Sequence, residues 1–288
     1  MKLLVLIFAF TFSIRSFSAT VSSSEVVLLV PGFFNSFTAE YFSDTIVNTF
    51  KARGFSVYVA TGLNPVGTVE DNGSRLIKIM DRIQKTEGRN VDFNVVAHSA
   101  GGLYTLFVAD KHLFRIKNLI SISTPYKGVE FLDEWRKDCS VFKALTDLAP
   151  LEGLAQLTPE GVSKFLDTIR VGPEMKITAF GGTQKSRLDI WDARNFSLPF
   201  VVTSRYISEN TDGIVGFSSA MGLGQIKTTE GTIAVQRRDP NFTLNLDHWE
   251  QVLDGYSFLI LGVRNPWYIN NEQQRFYNGI ADYLMTLL

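Results

Sequence analysis

The sequence predicts an α/β protein with a mostly parallel central sheet, helices on both faces and a helical lid or cap insertion. Three observations carry that expectation. Short apolar runs such as Val26 to Val30 and Phe93 to Ala97 lack the alternation of a half-exposed strand and read as strands buried on both faces. Amphipathic segments of helical period separate these runs. The chain has 288 residues, 45% of them hydrophobic and 20% charged, which is enough apolar material for a large core. No internal repeat or low-complexity linker divides it, so a single domain over 20–288 is the simplest organisation.

The elements follow in order. Val26 to Val30 is a strand closed by Pro31-Gly32. Tyr41 to Arg53 places Phe42, Ile46 and Phe50 on one helical face, and Gly54 can end that helix. Phe55 to Ala60 is a short strand, and Ser74 to Thr86 is helical by Leu76, Met80 and Ile83. Phe93 to Ala97 is a strand, Ala100 to Asp110 a helix, and Leu119 to Ile122 another strand. Phe142 to Ile169 contains no strand, only spaced leucines (Leu145, Leu148, Leu151, Leu154, Leu157) and then Thr158-Pro159-Glu160, where Thr158 suits a helix cap and Pro159 a first turn. This is the cap of about 140–172. Its pattern fits an amphipathic lid opening at a lipid surface and fits a packed cap helix equally well. Strands resume at Ile177 to Phe180 and Phe200 to Thr203, and Glu272 to Leu284 closes the chain as a helix through Phe276, Ile280 and Tyr283.

The N-terminus reads as something other than the fold. Met1 to Ala19 runs from Lys2 through an apolar stretch, Leu3 to Ile14, to the small residues around Ser16, Ser18 and Ala19. That is the pattern of a signal peptide spanning 1–19, and it predicts a secreted or periplasmic protein. No other stretch approaches the length of a membrane span. A net charge of −1 offers no basic surface for nucleic acid. The lone cysteine, Cys139, excludes an internal disulfide and any CxxC motif.

Chemistry is carried by FNVVAHSAGG, residues 93 to 102. A buried strand ends in Ala97-His98-Ser99-Ala100-Gly101 and a helix begins at once, which is the G-x-S-x-G nucleophile elbow with alanine first. The turn is sharp, so Ala97 and Gly101 must be small, and it lifts Ser99 clear of the sheet at the positive end of a helix. A serine nucleophile needs a base. Of three histidines, His98 lies inside the elbow and reads as packing, His112 reads as a solvated surface residue, and His248 is the one that leaves room for an acid between it and Ser99. Asp212, in Thr211-Asp212-Gly213, is the expected acid, with Asp189, Asp192 and Asp247 as competitors. The oxyanion donors are expected from backbone N–H groups, Ala100 after the serine and Phe33 in the loop after the first strand. Phe33, Phe34 and Phe37 in that loop read either as an acyl groove or as core.

These residues resemble those of the secreted bacterial triacylglycerol lipases of the α/β-hydrolase fold, nearest the Pseudomonas and Burkholderia type. The likeness covers most of the chain beyond residue 19. Pro31-Gly32-Phe33-Phe34-Asn35-Ser36 parallels the family's HG loop with Pro31 in place of its histidine, AHSAGG matches the elbow, and Ser123 to Gly128 resembles the segment after the next strand. LAQLTPEGVSKF, from Leu154, resembles the segment after the lid. Asp212 and His248 fall on the DG and DH motifs, and Glu250-Gln251-Val252 and the segment from Gly262 run parallel as well. The resemblance implies ester hydrolysis on lipids by Ser99, Asp212 and His248, a lipid–water interface as the working surface, and a dedicated folding chaperone as partner. It also implies a structural calcium. One ligand would be Asp189, in Leu188-Asp189-Ile190-Trp191-Asp192-Ala193, and the other Glu250, where the family has an aspartate. A short-chain carboxylesterase, a phospholipase or an acyltransferase would use the same triad. A non-catalytic binding protein of the same fold is the reading from a different class.

Overall fold

The computed structural model describes residues 25–35, 41–137, 151–183, 195–197, 207, 210–237, 245–254, 262–264 and 266–288. The expected signal peptide, the strand Phe200 to Thr203, and residues 138–150 of the cap lie outside them. The first half alternates strand and helix as expected: β1 (Glu25–Val30), α1 (Asp44–Lys51), β2 (Ser56–Val59), α2 (Val69–Glu87), β3 (Asp92–His98), α3 (Gly101–Asp110), β4 (Ile116–Ile122) and α4 (Glu130–Lys137). Then come α5 (Leu151–Gln156), α6 (Pro159–Thr168), β5 (Lys176–Phe180), β6 (Asn195–Ser197), α7 (Phe217–Ala220), β7 (Gln225–Thr228), β8 (Gly231–Ala234), β9 (Gln236–Arg237), β10 (Gly262–Arg264) and α8 (Pro266–Leu287).

Among the described residues the main sheet runs β2-β1-β3-β4-β5-β9, and every pairing in it is parallel. Its strands are continuous apolar runs because both faces are covered. Val26, Leu28 and Val30 of β1 enter a core with Leu76 and Met80 of α2 and Leu103 and Leu106 of α3. Val27 and Leu29 point the other way, into a core with Ile46 and Phe50 of α1 and Phe276 and Ile280 of α8. Register aligns the carboxyl ends: Val30 pairs with Ala97, Ala97 with Ser121, and Ser121 with Ala179. Loops leaving β1, β3 and β4 therefore emerge side by side, which is where parallel sheets build their sites.

Several elements differ from the sequence reading, among them the last helix, which starts at Pro266 rather than Glu272. Helix α2 starts five residues earlier than Ser74, capped by the Thr68 side chain, which accepts from Asp71 N–H at 3.1 Å. Its first turns contain Asn72-Gly73, which reads locally as a turn. Asn72 is instead buried and holds the loop before the helix through Asn64, while Gly73 lies against the Phe107 ring of α3, 2.2 Å from where a Cβ would be. The β7–β8 hairpin was not anticipated. In the cap, Thr158 does cap α6, with Pro159 in its first turn. Leu154, Leu157, Val162 and Phe165 are buried in the same core as α2 and α3, so residues 151–168 form a packed cap. No described helix is long and apolar enough to cross a membrane.

Leu76, on α2, is fully buried in the core it shares with β1 and α3. Leu76→Ala is expected to lower the free energy of unfolding by about 2–5 kcal/mol, read from urea denaturation, because the cavity it leaves is walled by strands that cannot close in.

Candidate active site

The turn between β3 and α3 is a strained elbow. Ser99 has a φ of 55°, a left-handed value uncommon for a residue with a side chain. The turn is clamped on both sides: Ser99 N–H donates to Ile122 O at 2.9 Å, and Ser99 O accepts from Thr124 Oγ1 at 2.9 Å. Gly101 has to be glycine, because a Cβ there would lie 2.5 Å from Val30 O and 2.8 Å from Pro31 O. The loop after β1 is thus pressed onto the elbow. Gly32 comes almost as close, with a Cβ position 2.6 Å from Ser99 Cβ and 3.0 Å from its Oγ.

The loop beyond Gly32 is tied at several points. Asn35 Nδ2 donates to Gly32 O at 3.0 Å, Phe34 N–H donates to Pro65 O at 2.7 Å, and Gly32 N–H donates to Tyr41 Oη at 3.0 Å. Among the described residues, the N–H groups of Phe33 and Ala100 have no acceptor. These are the two donors the sequence singles out, and they flank Ser99 along the two segments that meet there. The Phe33 side chain is buried in the core rather than open to a groove, and Phe34 is half-buried against the same cluster. Phe37 lies outside the described residues.

Asp212 and His248 are brought together. Asp212 Oδ2 lies 2.8 Å from His248 Nδ1, and His248 N–H donates to Asp212 O at 2.9 Å. The carboxylate is completely buried and fully used. Its Oδ1 accepts from Ile214 N–H at 3.0 Å and Val215 N–H at 2.8 Å, and its Oδ2 also accepts from Gln251 Nε2 at 3.0 Å. Burial works to raise the Asp212 pKa, but His248 and the backbone donors outweigh it and hold the group below its usual value. An ionised Asp212 fixes the proton on His248 Nδ1 and leaves Nε2 as a base. Ser99 Oγ forms no hydrogen bond among the described residues. Such contacts are often long before substrate binds. The His248 ring nevertheless lies against His98, the serine's neighbour, tilted 48° to it with centroids 4.5 Å apart.

The other candidates are placed elsewhere. Asp247 is not the acid. Its Oδ1 accepts from Trp249 N–H and Glu250 N–H at 2.9 and 2.8 Å, while Glu250 Oε2 accepts from Asp247 N–H at 2.9 Å. The two carboxylates close the turn that carries His248, as a capping box does. Glu250, expected as a calcium ligand, is buried in this arrangement, and Asp189 and Asp192 lie outside the described residues. No group of three or more acidic, histidine or cysteine side chains disposed for a metal occurs among the described residues, which do not include Asp189. His112 is exposed, as read. Three residues went unremarked as site components: Tyr41 and Gln251, and Gln273, whose Nε2 donates to Glu250 O and Leu253 O at 2.6 Å and anchors the His248 turn to α8. Gln251 had one available signal, its place three residues after His248.

No family model and no curated protein matches this sequence significantly. Solved structures do. A metagenomic carboxyl esterase superposes with a TM-score of 0.67 at 15% identity, over 93% of this chain and 78% of its own. The chain has the α/β-hydrolase fold. A Staphylococcus hyicus lipase gives a TM-score of 0.65 at 13% identity over 93% of this chain and 97% of its own. Legionella pneumophila phospholipase PlaB gives 0.52 at 13% identity over 92% of this chain, which spans 63% of that protein.

The site leaves a signature in pH-dependent stability. His98 is fully buried and is held well below its ordinary pKa by burial first and then by His248, against the opposing pull of Asp212 and Gln251. An unfolded chain protonates this histidine near pH ~6.5, whereas the folded one does not. The unfolded state therefore binds more protons as pH falls, and stability drops between about pH 7 and 5 at up to about 1.4 kcal/mol per pH unit. Asp212, with its lowered value, adds a second loss at pH below about 4. Urea midpoints across this range should show the first slope, and His98→Asn should flatten it.

Proposed function

We propose that this chain is a serine hydrolase of carboxylic esters, and that its substrates are lipid esters of the triacylglycerol type. The observation that carries the reading is the Asp212–His248 pair set beside the strained Ser99 elbow, with two uncommitted backbone N–H groups flanking the serine. In the proposed cycle His248 Nε2 takes the Ser99 proton as Oγ attacks the ester carbonyl. The tetrahedral oxyanion is received by the N–H groups of Phe33 and Ala100, each donor contributing about 3 kcal/mol of transition-state stabilisation. His248 then gives the proton to the leaving alcohol, and water repeats the sequence on the acyl-enzyme. Asp212 stays ionised throughout and stabilises the imidazolium. No step draws on calcium.

The ester is the substrate feature shared by the carboxyl esterase, the lipase and the phospholipase that this fold resembles, which supports the reaction class more firmly than any acyl chain. The choice of lipid rests on the likeness to the Pseudomonas and Burkholderia lipases. Export rests on Met1 to Ala19, and a folding chaperone on the family likeness alone.

Hydrolysis of p-nitrophenyl esters from acetate to palmitate, with Ser99→Ala alongside, tests the reading. Rates that rise toward long chains and fall at least about 10³-fold in the variant are expected. Rates confined to short chains would make the protein an esterase. Failure of a serine-directed phosphonate to label Ser99, with no variant-sensitive hydrolysis, would turn the reading to a binding protein.

A further inference from the structure

His98 is buried, lies next to Ser99, and takes no part in the proton transfers above. Polar contacts reach it from the loop after β1, and two unsatisfied buried atoms, His98 Nε2 and Gln251 Oε1, lie between it and the Asp212 side chain. Gly32 N–H donates to Tyr41 Oη at 3.0 Å, and Tyr41 Oη lies 2.8 Å from His98 Nδ1. The Tyr41 hydroxyl has one proton and no other acceptor among the described residues, so that proton goes to His98 Nδ1. His98 then carries its own proton on Nε2. That Nε2 is buried and has no hydrogen-bond partner among the described residues, and the Oε1 of Gln251, which neighbours His98, is buried and unsatisfied in the same way. The Gln251 amide spends its other end on Asp212 Oδ2 at 3.0 Å, the oxygen that holds His248.

The surroundings leave Gln251 little choice of position. A Cβ on Gly182 would lie 2.2 Å from Gln251 Nε2, so glycine there makes the space the amide occupies. Tyr277 Oη donates to Gln251 O at 3.0 Å and ties the backbone of this turn to α8. Tyr41 is fixed as firmly, packed edge-on against Phe42 and Trp249. The donor that His98 presents at Nε2 is also faced by His248, through both its ring and its backbone.

We propose that His98 is a positioning residue that holds the loop bearing the Phe33 N–H and the Asp212–His248 pair in one frame, through Tyr41 on one side and Gln251 on the other. The proposal rests on the hydrolase reading for its effect on rate but on geometry for its effect on His248. A neutral imidazole suits this place because it accepts at Nδ1 and donates at Nε2 at a fixed separation. That matches a tyrosine hydroxyl on one side and an amide carbonyl on the other.

Two measurements on the whole chain test it. The first is NMR of protein with ¹⁵N-labelled histidine at pH 7. The expected result is His98 as the neutral Nε2–H tautomer, with a far-downfield proton for His248 Nδ1–H that shifts or broadens in Tyr41→Phe, His98→Asn and Gln251→Met. An Nδ1–H tautomer, or a His248 signal unmoved by all three, would overturn the proposal whether or not the chain hydrolyses esters. The second is kinetic. Tyr41→Phe removes one oxygen and keeps the ring, and Gln251→Met keeps the length of the side chain. Each should lower kcat roughly 10- to 100-fold while KM stays within about twofold. Combined, they should lose much less than the product of the single effects, because both act through His98. Leu76→Ala, in the opposite core, is the control for stability alone and should leave kcat unchanged. If Ser99→Ala abolishes hydrolysis while the Tyr41 and Gln251 variants keep wild-type kcat, the positioning role fails and the hydrolase reading stands.

Discussion

The closest backbone approach at the site is between the loop after β1 and the start of α3. Val30 O and Pro31 O sit where a side chain on residue 101 would be, and Gly32 sits where its own side chain would strike Ser99. Two glycines on two different segments make that contact possible. It sets the distance between a serine hydroxyl and the N–H groups on either side of it. The strain at Ser99, with its φ of 55°, costs on the order of 1–3 kcal/mol and persists because the bonds to Ile122 and Thr124 leave the turn no alternative. The parallel register of β1, β3 and β4 brings the two segments together in the first place.

A second constraint is electrostatic. Asp212 is a buried charge, and a buried charge is tolerable when every lone pair is answered. Here Ile214, Val215, His248 and Gln251 all donate to it. Two of those donors come from its own turn and two from the His248 turn, so the carboxylate is also the joint between segments 36 residues apart in sequence. Asp247 and Glu250 close the His248 turn from within, while Gln273 and Tyr277 hold it to α8. Glutamate at position 250 makes sense in this light: its extra methylene lets the carboxylate return to the backbone N–H three residues earlier.

The sheet and its helices were legible because burial on two faces writes itself as an unbroken apolar run, and helices write a 3.6-residue period. The elbow was legible because its steric demand leaves small residues at fixed places around Ser99. Order along the chain pointed to Asp212 and His248, whose side chains the structure sets 2.8 Å apart. What could not be read were features whose meaning is set by a distant partner. Asn72-Gly73 has the local character of a turn, yet a tertiary contact with Asn64 and Phe107 makes it helix. His98 looks like filler in sequence, and its hydrogen bonds go to a tyrosine 57 residues away. Short strands such as β7 and β8, with exposed residues along one face, carry no strong period.

The position of Phe33 links the chemistry to the cap. Its N–H is one of the two uncommitted donors beside Ser99, but its ring is buried beneath α5, where a side chain on Gly153 would meet it at 3.1 Å. Helix α5 is itself fastened to the start of α2 by Gln156 Oε1, which accepts from Val69 N–H at 2.6 Å. Under the proposed mechanism, a change in α5 would reach the reaction through Phe33 without touching Asp212 or His248. In this chain α5 packs on the Phe33 ring and is tied to the start of α2, so that helix and the loop beside Ser99 are parts of a single packed unit.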